Sequence, residues 1–499
     1  MIIKLRDSSF IQRQEETPLY SALCKYIDEH NVPFHMPGHM QGRGASAGLL
    51  NLMGERALAA DITQVLDMDD IHRPSNYTKR AQELAAECFG AEHTWFLING
   101  STCGNQAMFL AVLNEGDEVI VPRCAHRSLQ AGLIFSGARP HYVFSPYDAE
   151  TGVSLAVEKS ELERLQREYP RTKAWAITSI TPYGACANVA DIAIAAHQHS
   201  LPLLVDEAWG PHFGLHPGLP QSALHQGADC VVQSAHKLLA ALSQASLLHV
   251  RGNLVDRGRL HLALRMLEST SPSYLLLASL DLARRQAALD GESLWGRALE
   301  HAEEVRSFIR NLPGLSLMEQ GAAFDYDKTR VVISAVELGM DGVELERTLR
   351  YRFNIQPEMS DMRNVVLVIT PSQSGEDINR LKEALKEIAS APHGWISQEG
   401  IKGSLREVSK LEFPGFPEQI LSPRQAYFSC SKAVPWKRAV GEICAELITP
   451  YPPGIPLICP GERIGCEHYE YLQALNKMGI PIDGLSDETL EYVKIIVAA

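Results

Sequence analysis

The chain reads as an α/β protein built on a mostly parallel sheet, and three observations lead there. From about Ala81 to Val250, short apolar runs alternate with amphipathic segments of helical period. The apolar runs are strand-length and are separated by helix-length stretches, the pattern of βαβ units rather than hairpins. With 499 residues, 45% hydrophobic and 21% charged, the chain can build two or three domains with sizeable cores.

The elements follow in order. "AQELAAECFGA" reads as a helix closed by Gly90, "HTWFLING" as a strand and "GNQAMFLAVLN" as a helix. The turn "EGD", the strand "EVIVP", the helix "HRSLQAGLIFSGA" and the strand "PHYVFS" come next. "EKSELERLQREYP" and "DIAIAAHQHS" read as helices, "KAWAITSI", "LPLLVDEA" and "ADCVVQS" as strands. A long amphipathic segment, "LLLASLDLARRQAALDGESLWGRALEHAEEVRSFIRNL", leads out of this region. "TRVVISAVEL", "DGVELERTLRYRF", "NVVLVIT" and "SGEDINRLKEALKEIAS" predict a small α/β domain. "APHGWISQEGIKGS" reads as a linker, and "PYPPGIPLICPGE" as a run too rigid for helix and too apolar for a disordered arm. The expected division is an N-terminal segment 1–75, a large domain 76–310, a small domain 311–392 and a C-terminal domain 393–499.

Composition narrows the function. A formal charge of −14 argues against nucleic acid as a partner. The start of the chain has no apolar core of a signal peptide, and no run approaches the roughly 18 apolar residues of a membrane span; "YLLLASLDLA" is interrupted by Asp281. The ten cysteines are scattered without a CxxC pair, which predicts reduced thiols in the cytoplasm. No metal site is expected: His35 and His39 are separated by Pro-Gly, and His197 and His199 do not share a helical face.

In parallel α/β sheets, ligands bind beyond the carboxyl ends of the strands. Four pieces fall on that rim. "NGSTCGN" offers small hydroxyl residues at a helix N-terminus, suited to a phosphate or to simple capping. Asp206 ends an apolar strand, where a carboxylate needs a cation or several hydrogen bonds. His126 follows "EVIVP", and an imidazole there can stack on a flat ring, exchange a proton or merely hydrogen bond. "QSAHK" sets Lys237 where the chain is about to be buried. Either its stem packs while the charge reaches water, or its amine has condensed with a carbonyl.

Together these pieces call for a ligand with a phosphate, a protonatable nitrogen, a flat ring and an aldehyde. Pyridoxal 5'-phosphate has all four. Lys237 would bind its aldehyde, Asp206 would pair with the ring nitrogen, and Ser101, Thr102 and Ser234 would hold the phosphate.

Eight ordered blocks, "FHMPGHMQGRG", "LDMDDIHRPS", "FLINGSTCGNQA", "RCAHRS", "VDEAWGPHFG", "QSAHKLLAALSQAS", "STSPSYLLLASLD" and "PYPPGIPLICPGE", resemble the ornithine/lysine/arginine decarboxylase family. The resemblance runs from about Thr17 to Arg463 and matches the compact form without an N-terminal wing domain. It implies a pyridoxal-phosphate enzyme of the aspartate aminotransferase fold, working as a homodimer or higher assembly. It puts Lys237 on the cofactor, Asp206 at the ring nitrogen, His126 stacked on the ring, and Ser234 with the "GSTCG" turn, Cys103 included, at the phosphate. Ser269, Thr270 and Ser271 would reach in from the partner, and His236 would donate a proton. Compact relatives often carry histidine where this chain has Trp209.

The implied reaction is α-decarboxylation of a basic L-amino acid, arginine first, with lysine or ornithine as alternatives. Asp69, Asp70 and Glu446 are nominees for the distal cation, each equally suited to a structural cap. An aminotransferase would instead need an arginine on the substrate carboxylate. A non-catalytic member would not need Lys237, Asp206 and His126 intact.

Overall fold

The computed structural model describes residues 7–148, 150–321, 323–390, 411, 413–450, 455–487 and 489–497. The linker read at 391–404, the boundary at 393 and residues 451–454 of the Pro/Gly run lie outside them. The chain forms two compact units. The first takes Met1–Leu113, Lys173–Ile180 and Asn188–Leu294; the second takes Asn114–Thr172, Thr181–Ala187 and Trp295–Ala499.

Seven strands matter most: β1 (His93–Leu97), β2 (Glu118–Pro122), β3 (Arg139–Val143), β4 (Thr172–Thr178), β5 (Leu203–Asp206), β6 (Cys230–Gln233) and β7 (Ser246–Val250). The first unit carries the order β1-β7-β6-β5-β4. β4, β5 and β6 are parallel, with Thr178 opposite Asp206 and Asp206 opposite Val232. β7 is antiparallel to both β6 and β1, so it runs against the other four strands of this order. The mostly parallel α/β fold read from the sequence is therefore the observed one. β7 is the strand the pattern did not separate, because it follows the Lys237 turn with no full helix between.

β5 and β6 are buried at every position, which explains their unbroken apolar runs. The helix Tyr77–Phe89 stops at Gly90, whose φ of 72° makes a left-handed cap. The helix Gly100–Val112 lies close on the sheet at Gly104. A Cβ there would stand 2.6 Å from Val232 Cγ2 and 2.8 Å from Leu97 Cδ1, so the approach needs glycine.

The N-terminal segment is fastened to the helix Tyr274–Arg310 by a buried ion pair. Asp281 accepts from the N–H groups of Leu19 (2.9 Å) and Tyr20 (3.3 Å), at the start of the helix Pro18–Asp28. Arg284 donates to Asp281 (2.6 Å) and to the carbonyls of Gln14 (2.7 Å) and Glu16 (2.5 Å).

In the second unit β2 and β3 are parallel, joined through the helix Arg127–Ser136. Four antiparallel strands, among them Arg330–Ser334 and Asn364–Val368, make a separate sheet. The helices Gly342–Phe353 and Gly375–Ser390 cover it, burying Leu345, Leu349, Leu381 and Leu385 against Val331, Ile333, Val365 and Leu367. Each such side chain contributes about 1.5–3 kcal/mol. Further along, Ser431–Pro435 pairs with Tyr492–Ile496 over a core of Trp436, Ile448, Ile458, Leu472, Val493 and Ile495.

Candidate active site

In the first unit the rim carries three kinds of group. The helix Gly100–Val112 begins at Gly100, whose positive φ of 72° turns the chain from β1 into the helix. Ser234, just past β6, donates its hydroxyl to the Ser101 hydroxyl at 2.8 Å. Two hydroxyls at a helix N-terminus suit an anion. Thr102 is exposed on the same turn. Cys103 is buried, and its thiol donates to the Glu268 carboxylate at 3.1 Å rather than facing the hydroxyls. Glu268 also accepts from the N–H of Ile98 (3.2 Å), and burial holds its carboxyl above the usual range.

Asp206 ends β5 and is 5% exposed. Its oxygens accept from the Asn105 side-chain amide (2.8 Å) and the Ala208 N–H (3.0 Å). Asn105 is thus a site residue the sequence reading missed. The signal was a buried amide four residues after Ser101, one helical turn on, where apolar residues otherwise pack.

Behind Asp206, a polar chain crosses the core. Glu207 is fully buried and accepts from the Ser179 hydroxyl (3.1 Å), the Ala223 N–H (2.8 Å) and the Gln233 amide (2.8 Å). Gln233 Oε1 accepts from His249 Nε2 (3.1 Å), and His249 Nδ1 accepts from the Thr94 hydroxyl (2.8 Å). Burial pushes Glu207 up to about 7 and His249 down to about 3, so the imidazole is neutral at ordinary pH.

Lys237 sits in the turn Ala235–Leu238, its N–H bonded to the Ser234 carbonyl at 3.0 Å. Its Nζ lies over the Trp209 ring, 3.8 Å from the centroid. His236 donates from Nδ1 to the Ala245 carbonyl (3.0 Å), which leaves Nε2 as the acceptor nitrogen of the ring. Ser269, Thr270 and Ser271 are exposed; the Ser269 carbonyl accepts from His72 Nε2 at 2.9 Å.

In the second unit His126 caps the helix Arg127–Ser136. Its Nδ1 accepts from the Ser128 N–H at 3.3 Å and lies 2.8 Å from the Ser128 hydroxyl, so Nε2 carries the hydrogen, and the ring is exposed.

The nominees for the substrate cation are engaged locally. Asp69 accepts from the N–H groups of Asp70, Ser75, Asn76 and Thr78 and from the Ser75 hydroxyl. Asp70 accepts from Gln64 and the His72 N–H, both at 2.7 Å. Glu446 accepts from the N–H groups of Ser486 and Lys494, both at 2.8 Å. Among the described residues, no group of three His, Cys, Asp or Glu stands ready to hold a metal ion, and no helix is long and apolar enough to cross a membrane.

The rim therefore combines two hydroxyls at a helix start, suited to an anion, a buried carboxylate suited to a cation, and a primary amine able to condense with a carbonyl, all on an α/β fold. Two family models match: "Orn/Lys/Arg decarboxylase, major domain" over residues 17–335 and "Orn/Lys/Arg decarboxylase, C-terminal domain" over 406–491. The chain is 38% identical to the arginine decarboxylase of Bacillus subtilis (strain 168), over 97% of this chain and 98% of that one. It is 26% identical to the lysine decarboxylase LdcA of Pseudomonas aeruginosa, over 89% and 74%. The crystal structure of the Francisella novicida lysine decarboxylase LdcF shares the fold, with a TM-score of 0.83 at 22% identity, over 96% of this chain and 81% of that one. The chain belongs to the Orn/Lys/Arg decarboxylase family, and it is a decarboxylase.

Proposed function

We propose that the chain decarboxylates L-arginine to agmatine and CO2 with pyridoxal 5'-phosphate as cofactor. The observation that carries this reading is the set of Ser101–Ser234 hydroxyls, Asp206 and Lys237 on one rim: an anion site, a cation partner and an amine. Each matches one polar feature of that cofactor, so the donor set fits it. Arginine ranks first because a relative named arginine decarboxylase is 38% identical, against 26% for one named lysine decarboxylase.

When bound, the cofactor supplies an aldehyde for the amine and a conjugated ring that takes up the electrons released as CO2 leaves. The chain's residues do the rest. Lys237 would provide the amine for the aldehyde. Asp206, fixed by Asn105 and the Ala208 N–H, would keep the ring nitrogen protonated. Ser101, Thr102 and Ser234 would hold the phosphate, with Cys103 buried in the same turn. His126 would stack on the ring, and His236, its Nδ1 held by the Ala245 carbonyl, would return a proton to the substrate carbon through Nε2.

A homodimer completes the reading. Phe34, Leu52 and Leu66 of the N-terminal segment are 93%, 80% and 89% exposed, and a second copy would cover them. Ser269, Thr270 and Ser271 would then reach the partner's site. The described residues include all ten cysteines and form no disulfide, which supports a cytoplasmic, reducing location. The test is CO2 release from arginine, lysine and ornithine. Agmatine from arginine, lost in Lys237→Ala, is the expected result; cadaverine or putrescine as main product would move the substrate, and no CO2 from any would end the reading.

A further inference from the structure

We propose that the carboxyl-terminal part of the chain sets the position of His126, with Glu462 as a positioning residue acting through Arg123. This deepens the reading that His126 packs on the cofactor, and it rests on that reading.

Arg123 and Glu462 are 339 residues apart and each is 1% exposed. The guanidinium grips the carboxylate with both terminal nitrogens, Nη1 to Oε1 and Nη2 to Oε2, the latter at 2.8 Å. Nε donates to the Pro456 carbonyl and Nη2 to the Leu457 carbonyl, both at 2.9 Å. Glu462 accepts in addition from the Cys459 N–H at 2.7 Å. The rings of Tyr142 and Phe416 stand 4.8 Å from the guanidinium carbon. The run "PLICPGE" is thus a cage for one arginine, which gives this Pro/Gly-rich stretch a purpose.

Arg123 lies three residues before His126, between β2 and the helix that His126 caps. The other end of that helix is held as well. Arg424 donates to the Ile134 carbonyl (3.0 Å) and the Phe135 carbonyl (3.3 Å), just before Gly137 ends the helix at φ 75°. Two side chains of the carboxyl-terminal part therefore hold the junction just ahead of His126 and the far end of the ten-residue helix that follows it. A bidentate guanidinium–carboxylate pair holds orientation as well as distance, as a position-setting device requires.

The test compares Glu462→Gln, Glu462→Asp, Arg424→Leu, His126→Ala and the double variant Glu462→Gln/His126→Ala as folded proteins. It follows pyridoxal 5'-phosphate affinity by absorbance titration and compares kcat with KM. Glu462→Gln is expected to weaken cofactor binding about tenfold and lower kcat with little change in KM, Glu462→Asp to recover part of both, and Arg424→Leu to act in the same direction. In the His126→Ala background, Glu462→Gln should add nothing. An equal loss in both backgrounds, or none in the folded single variants, overturns the proposal; if Glu462→Gln does not fold, Arg424→Leu decides alone. Unchanged affinity in His126→Ala would instead sink the reading of His126 itself.

Discussion

Nζ of Lys237 rests on the face of the Trp209 indole, 3.8 Å from the ring centroid. Both residues lie on the rim, Trp209 three residues after the end of β5 and Lys237 four after the end of β6. Such a contact is worth roughly 0.5–2 kcal/mol and gives the amine a defined place whenever it is released from a ligand. Trp209→Leu should therefore lower kcat by about tenfold with KM changed far less, since a resting place for the lysine is not a substrate contact. Trp209→Phe should keep most of the rate. Steady-state kinetics check it, and full kcat in the leucine variant would refute it.

Asn105 holds Oδ2 of Asp206 through a 2.8 Å hydrogen bond, while the Ala208 N–H holds Oδ1. Without that amide, one carboxylate oxygen is left buried with a missing donor, a loss of about 1–3 kcal/mol. Asn105→Ala should weaken pyridoxal 5'-phosphate binding by about tenfold or more, read by titrating the apoprotein. An unchanged dissociation constant would show that the amide does not matter to Asp206.

Glu207 carries a pH signature. Its carboxyl sits at about 7 in the fold, against an ordinary 4.5. Between those values the folded chain keeps a proton the unfolded chain has lost, so stability falls as pH rises through the window, by roughly 3 kcal/mol in all. His249 works the other way: driven from 6.5 to about 3, it removes stability as pH drops below 6.5. Above that pH, only Glu207 of the two contributes. Urea unfolding midpoints should therefore fall less in Glu207→Gln than in wild type between pH of about 6 and about 8. The neutral amide can be accommodated if Gln233 turns over and His249 changes tautomer, reversing the chain to Thr94. Parallel profiles would contradict the assignment.

The Asp281–Arg284 pair ties the N-terminal segment down through backbone groups of Gln14, Glu16, Leu19 and Tyr20. Arg284→Met leaves a buried carboxylate without its cation, a cost of about 3–5 kcal/mol. Limited proteolysis should then cut ahead of Tyr77 while the rest of the chain survives longer. Equal resistance would show that the segment is held by its apolar contacts alone.

The sequence and the structure agree where burial imposes a period. Strands such as Leu203–Asp206 and the helix closed by Gly90 declare themselves because packing on one or both faces leaves a repeating pattern. β7 did not, since an antiparallel return directly after a four-residue turn has no helix to mark it. Lys237 and Asp206 stood out as charges at the ends of apolar strands. Asn105 did not, because a single amide on a buried helix face looks like any tolerated polar residue. The Arg123–Glu462 pair was equally hidden: a contact across 339 residues writes no local pattern. Asp69, by contrast, drew notice as an acid, and its oxygens turn out to accept from four backbone N–H groups, in its own loop and at the start of the helix that follows.

Borohydride reduction of the enzyme loaded with pyridoxal 5'-phosphate tests the role of Lys237 most directly. Mass analysis of the digested protein should find a phosphopyridoxyl group on the peptide carrying Lys237, and none in Lys237→Ala. A reduced enzyme with that peptide unmodified, or with the group on another lysine, would contradict it.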